Sequence, residues 1–311
     1  MAVATKQVEI TTRTDADYAA LIVRTRRRRK IESILIDKVL AYGFLIVMSI
    51  FALFPFAWMF STSIKTPQEA FVIPPRWIPH VITFAAYRVL WDTKAANNNN
   101  FPRYFLNSTI VSVATMVLSV LIAVPAAYAF ARFLFPGKNW FFYAILGRNM
   151  FPLVVFLVPL FQLMATLKLQ NNYFGLVLAY LTFSLPLAIW LLKGFFDNIP
   201  VELEKAARID GCTRFGAFFR VILPLTTPGI IATAIYSFIG AWNEYIFAIT
   251  LTSNPKLRTL PVGQGYFLSE NNSQWAALMA VSLVISIPVV AFFLLLQRYF
   301  IRALTEGAVK G

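Results

Sequence analysis

The sequence predicts an all-α integral membrane protein with six transmembrane helices and a cytoplasmic helix between spans four and five. Three observations predict it. Of the 311 residues, 59% are apolar and only 14% are charged, against about 45–50% and about 25% in soluble domains. Mean hydropathy is +0.66. Six apolar runs approach the roughly 20 residues needed to cross a hydrocarbon core about 30 Å thick. These values exclude an ordinary soluble domain, a disordered chain and a coiled coil.

The spans follow in order. The first is expected from Val39 to Ser63, the second from Leu106 to Ala131 and the third from Trp140 to Leu163. The fourth is expected from Phe174 to Phe196, the fifth from Pro228 to Leu251 and the sixth from Ala276 to Tyr299. The first is too long for a signal-peptide core and lacks a small-residue cleavage site after it, so it reads as a retained span. The chain divides into a basic N-terminal segment (1–38), a six-span domain (39–300) and a C-terminal tail (301–311). Within the domain lie a long external loop (65–105) and a cytoplasmic loop (197–225).

Six spans put both termini on one side. Lys and Arg number 19 on the side that holds the termini and 8 on the other, with Arg148 inside the third span. The excess places both termini in the cytoplasm. Most of the +14 net charge therefore reports topology. The run from Arg26 to Lys30 suits anionic lipid head groups at the start of the first span. A nucleic-acid patch would want interleaved aromatics on a folded basic face. The external loop carries Pro74, Pro75 and Pro79 and the run Asn97 to Asn100, which reads as irregular surface structure. Such a loop is either a plain connection or a seat for an external partner. Glycosylation-type triplets begin at Asn107 and Asn271 and read as chance.

Catalytic chemistry has few candidates. Cys212 and His80 are the only Cys and His, which leaves no intrachain disulfide and no His-based metal site. There is no Gly-x4-Gly-Lys-Ser/Thr and no Gly-x-Ser-x-Gly. The sequence therefore predicts no catalytic residues, no metal and no cofactor in this chain. If energy is used, another chain must hold the nucleotide.

The loop after the fourth span is the most informative segment. Asp197 or Asn198 can cap a helix whose first turn holds Pro200 and whose left-handed stop is Gly211. Thr213 can cap a second helix that ends near Leu223-Pro224. Glu204 and Arg208 are spaced for an i,i+4 pair. Leu203, Ala206 and Ala207 share a low-profile face. The product is a helix–turn–helix knob. It either docks in a groove on a soluble partner or rests on lipid, and Glu202, Glu204 and Asp210 disfavour lipid.

These residues resemble the EAA loop of importer-type ABC transporter permeases: Glu-Ala-Ala, three residues, Gly, nine residues, Ile-x-Leu-Pro. Ala206, Ala207, Gly211, Leu223 and Pro224 fall at the matching positions, and Val221 stands for Ile. Lys205 occupies the place of the Glu, with Glu204 beside it. Ile199-Pro200, Ala241-Trp242-Asn243-Glu244 and the tail from Leu304 to Gly311 are similar to the carbohydrate-uptake group, of the maltose-type second permease. The resemblance implies a bacterial or archaeal plasma-membrane subunit of an ATP-driven sugar importer. It implies a second homologous permease, two cytoplasmic ATPase subunits that bind ATP and Mg, and an external sugar-binding protein as partners. It assigns the ATPase-coupling interface to Glu204, Lys205, Ala206, Ala207, Asp210, Gly211, Leu223 and Pro224. It also suggests tail contacts to the ATPases at Thr305, Glu306 and Lys310.

Glu244 and Arg148 are the acid and base expected at membrane depth, where a charge costs about 2.5–3.5 kcal/mol on insertion scales. With Trp242, Asn243 and Tyr245, Glu244 either lines the substrate pathway or pairs with a neighbouring subunit. Pro125, Pro152, Pro159 and Pro186 sit within spans and can bend them. Ala123, Ala127 and Ala131 have the small-x3-small spacing of close helix packing. The rival reading is an ATP-independent secondary transporter or channel. It would show inverted repeats, and none is evident. An integral-membrane enzyme would need convergent acids, a His or a nucleophile, and these are missing.

Overall fold

The computed structural model describes residues 15–92, 100–267 and 274–308, and helices are its only regular secondary structure. The chain divides into two units, residues 1–58 and 59–311. Helix α1, Asp15–Ser63, runs without a break at residue 38. The basic segment from Asp15 onward is therefore the start of this helix and not a separate tail. Its stretch Lys38–Ser63 is long and apolar enough to cross a membrane, and its side chains from Val39 to Phe54 are exposed. A helix that is apolar all round suits lipid or a buried place in a bundle.

The second unit holds the remaining spans. The segment that follows α1 is more ordered than its prolines suggest. Lys65 Nζ donates to the Arg76 carbonyl at 2.6 Å, and Glu69 Oε1 accepts from the His80 amide at 2.8 Å. Helix α2, Ala85–Trp91, buries Leu90 completely. Asn97 to Asn99 lie outside the described residues.

Helix α3, Phe101–Arg132, is the packing centre of this unit. Its buried stripe runs Ser108, Ser112, Thr115, Ser119, Ala123 and Ala127, a spacing of three and four residues that stays on one helical face. Small side chains there let neighbouring backbones approach. Ala123 and Ala127 have no exposed surface, while Ala131 is half-buried. Ser237 Oγ and Ser119 Oγ are 3.0 Å apart across the stripe.

The third span is broken. Helix α4, Lys138–Gly147, and helix α5, Leu157–Thr166, each follow or precede a 3₁₀ turn, and the two halves are bent by 102°. Pro152 is the cause: the residue before a proline is driven out of the helical region, and Phe151 is extended at ψ 136. Pro159 falls in the first turn of α5, where it costs no hydrogen bond. Pro125 and Pro186 remain inside continuous helices, α3 and α6, Tyr173–Asn198. Both of these elements pass as single spans.

The loop after α6 gives α7, Val201–Ile209, α8, Arg214–Ala217, a π-helical turn, Phe218–Ile222, and α9, Leu223–Leu225. A 70° bend leads into α10, Thr227–Trp242. The fifth span was expected to continue to Leu251, but the helix stops at Trp242 and restarts as α11, Ile246–Leu251. Helix α12, Leu260–Gln264, precedes α13, Trp275–Ala308. The sixth helix thus continues through the segment assigned to a tail.

Candidate functional site: the helical knob and the fifth-span break

Helix α6 ends at Asn198, and Ile199 and Pro200 are extended. The expected cap by Asp197 or Asn198 does not form. Pro200 starts α7 without a side-chain cap, and Asp197 instead pairs with Lys193 at 2.6 Å. The turn after α7 is as the sequence predicts. Gly211 sits at φ +89, in the left-handed region that favours glycine. Its neighbour Cys212 donates to the Ala207 carbonyl at 3.0 Å, closing the helix end. Thr213 Oγ1 then accepts from the Gly216 amide at 3.1 Å and caps α8.

The two faces of α7 differ. Glu204 and Ala207 face the chain's own interior, each 7% exposed. Lys205, Ala206, Asp210 and Gly211 are exposed, Leu223 is half-buried and Pro224 is exposed. The face shared by Leu203, Ala206 and Ala207 therefore splits: Leu203 and Ala206 are open and Ala207 is covered. Two large apolar side chains, Ile209 at 86% and Phe215 at 78% exposure, stand on the open side. Isolated exposed hydrophobics are ordinary, but several together beside a helix turn mark a surface that another body can cover.

Sequence reasoning missed what holds Glu204. Instead of pairing with Arg208, its carboxylate is gathered by three other side chains. Tyr128 Oη donates to Oε1 at 3.0 Å, Arg132 Nε lies 3.7 Å from Oε2, and Arg214 Nε lies 4.0 Å from Oε1. Arg132 also donates to the Ile199 carbonyl at 2.6 Å. The Arg214 guanidinium sits 4.9 Å over the Phe133 ring. Tyr128 packs on Phe218 and Phe196, with centroids 4.5 and 5.6 Å away. The one sequence signal for this cluster is that Arg132 and Tyr128 are polar residues at the C-terminal end of an apolar span.

The break in the fifth span separates its polar residues into two sets. Trp242 is buried and donates from Nε1 to the Ile285 carbonyl at 3.2 Å. Glu244 is buried, and its two carboxylate oxygens accept from the amides of Phe247 and Ala248 at 2.8 and 3.0 Å. The wholly buried Tyr180 lies next to the same carboxylate. Glu244 thus satisfies the first amides of α11, which have no partner within the helix. This explains why the helix breaks here. Asn243 and Tyr245 are exposed. Arg148 is at the elbow of the third span, its guanidinium 4.7 Å over the Phe156 ring. Thr305 and Glu306 lie on α13, and Lys310 is outside the described residues.

Comparison with known proteins agrees with this architecture. Residues 95–306 match the family described as binding-protein-dependent transport system inner membrane component. The chain is 38% identical to the sulfoquinovosyl glycerol transport system permease protein of Agrobacterium fabrum, over 85% of this chain and 91% of that one. It is 39% identical to the trehalose transport system permease protein of Mycobacterium tuberculosis, over 84% and 93%. A bacterial ABC transporter involved in the import of the acidic polysaccharide alginate has a chain of the same fold, with TM-score 0.72 and 25% identity over 86% of this chain and 98% of that one. With that match over most of its length and the broken, knob-bearing helical fold, the chain belongs to the binding-protein-dependent transport system inner membrane components and is a multi-pass ABC transporter permease.

Proposed function

We propose that this permease forms half of the membrane pathway of an ATP-driven importer for a sugar, oligosaccharide or related glycoside. The other half is a second homologous permease. The observation that carries the coupling role is the knob from Val201 to Leu225. It is a helix pair, turned at Gly211 and capped at Thr213, that holds one face on its own chain and presents Lys205, Ala206, Ile209 and Phe215 outward. Such a face suits a groove on a soluble partner, here one of two ATPase subunits that bind ATP and Mg. The carbohydrate cargo is supported by the relatives, whose names give sulfoquinovosyl glycerol and trehalose. An external binding protein delivers that cargo, and both termini lie in the cytoplasm. Asn243 and Tyr245 are the open polar residues of the pathway set, and Trp242 and Glu244 support them from behind.

Co-expression with the neighbouring permease, ATPase and binding protein tests this reading. A tag on this chain brings down both other membrane-complex subunits, and the binding protein with its sugar stimulates ATP hydrolysis. Gly211→Val, which forces a β-branched residue to φ +89, abolishes that stimulation. A tagged chain that recovers no ATPase, or a Gly211→Val complex with unchanged stimulation, overturns the coupling role.

A further inference from the structure

We infer that Tyr128 and Arg132 are positioning residues that clamp Glu204, so that α7 moves as one body with α3. The inference rests on the coupling role proposed above and adds the route by which motion of the knob enters the membrane. Three connections join the knob to the spans: the covalent link through Ile199-Pro200, the π-turn and α9 that lead through a 70° bend into α10, and the side chains of α7. The covalent link is an extended dipeptide, a hinge on its own. The clamp removes that hinge's freedom at two points. Arg132 binds the Ile199 carbonyl of the link and faces the carboxylate of α7. Tyr128, one helical turn earlier on α3, binds the same carboxylate from the other side.

The clamp is buried, which makes it directional. Glu204 and the Arg132 side chain are each under a tenth exposed, and aromatic rings of Phe133, Phe196 and Phe218 surround Tyr128. Charge pairs held away from water are less screened than surface pairs, and their members cannot separate without leaving a charge uncompensated. The helix at the other end of the clamp is the one whose small-residue stripe packs against α6 and α10. Displacement of α7 is therefore delivered to the centre of the spanning bundle and not to its rim. Glu204 faces inward for this reason, while its neighbour Lys205 stays free to meet the ATPase.

The test uses the assembled complex in nanodiscs, with Cys212→Ser and a single reporter cysteine at Tyr245→Cys. The rate of maleimide labelling at the reporter is compared between the nucleotide-free and ATP–vanadate states. The parent complex shows a change of at least fivefold. In Arg132→Gln and in Glu204→Gln the ATPase subunits remain bound at parent stoichiometry, and the labelling change shrinks to less than twofold. The exchange Arg132→Glu with Glu204→Arg restores at least half of it. A labelling change that persists in both single variants overturns the inference. So does loss of the ATPase subunits in Glu204→Gln, because the carboxylate then only holds the knob's fold. A parent complex that assembles but shows no vanadate-dependent change contradicts the importer mechanism itself, and the two failures are thereby distinguished.

Discussion

A Cβ added to Gly229 would stand 2.4 Å from Cγ of Phe195. Helix α10 therefore meets α6 at its first turn with no room for a methyl group, just after the bend that ends the knob. Real Cβ contacts are essentially never under 3.0 Å, so either the ring or a helix must move. Overpacking of this kind costs about 1–3 kcal/mol. Gly229→Val lowers the midpoint of thermal unfolding in detergent, read by fluorescence-detected size exclusion. Gly229→Val with Phe195→Ala recovers most of the loss, because the second change removes the ring that the first one strikes.

Asn107 is a buried cross-link near the N-terminal end of α3. Its amide donates to the Lys256 and Arg258 carbonyls at 2.9 and 2.8 Å, and its Oδ1 accepts from Tyr173 Oη at 2.6 Å. The side chain is 1% exposed, which rules it out as a glycan acceptor in the folded chain. Asn107→Ala takes the partner from the Arg258 carbonyl and the Tyr173 hydroxyl, while the Lys256 carbonyl keeps Arg103 Nε at 2.8 Å. Each orphaned group costs about 1–3 kcal/mol. The variant unfolds at lower temperature, and limited proteolysis cuts it faster near Lys256. Asn107→Asp restores only the bond from Tyr173 and recovers a minority of the stability.

The sequence-readable parts of this molecule are those set by local rules. Apolar runs marked the spans at α1, α3, α6 and α13 to within a few residues. Gly211 and Thr213 announced the turn and second cap of the knob because left-handed backbone and capping depend on the residue itself. What was not legible depends on tertiary partners. Pro152 marked a bend in the third span, but hydropathy cannot see that it turns the two halves by 102° where Pro125 and Pro186 leave their helices continuous. Nor can it see that Glu244 turns back onto α11 and splits the fifth span. Within the knob, helical spacing offered Glu204 the partner Arg208. The carboxylate is instead taken by Tyr128, 76 residues away, because the inward face of α7, packed on the π-turn, brings Glu204 to the end of α3. No local pattern encodes that choice.

The open face of α7 should tolerate apolar change and resist charge. Ile209 is 86% exposed and contributes nothing visible to the core of this chain. Ile209→Leu is expected to leave both folding and subunit recovery unchanged. Ile209→Asp keeps the thermal midpoint within about 2 °C, since surface substitutions usually shift stability by under 0.5 kcal/mol. Its effect falls on assembly. The fraction of ATPase co-purified with the tagged chain drops at least fivefold, as a carboxylate buried without a partner at an interface is strongly unfavourable.

Glu244 gives the last prediction its sharpest contrast. Both carboxylate oxygens are used on the amides of Phe247 and Ala248, so the shape of the side chain matters as well as its charge. Glu244→Gln keeps one carbonyl oxygen for one amide and places an NH₂ against the other donor. Glu244→Leu removes both acceptors and exposes two buried N–H groups, each costing about 1–3 kcal/mol. The thermal midpoint therefore falls in the order parent, Gln, Leu. Tyr245→Phe, on an exposed neighbour, leaves the midpoint unchanged and alters only sugar-dependent transport. If Glu244 instead served the cargo directly, Glu244→Gln would keep the parent midpoint and lose transport. Measuring both quantities on the same purified complexes separates support of the α10–α11 break from contact with the sugar.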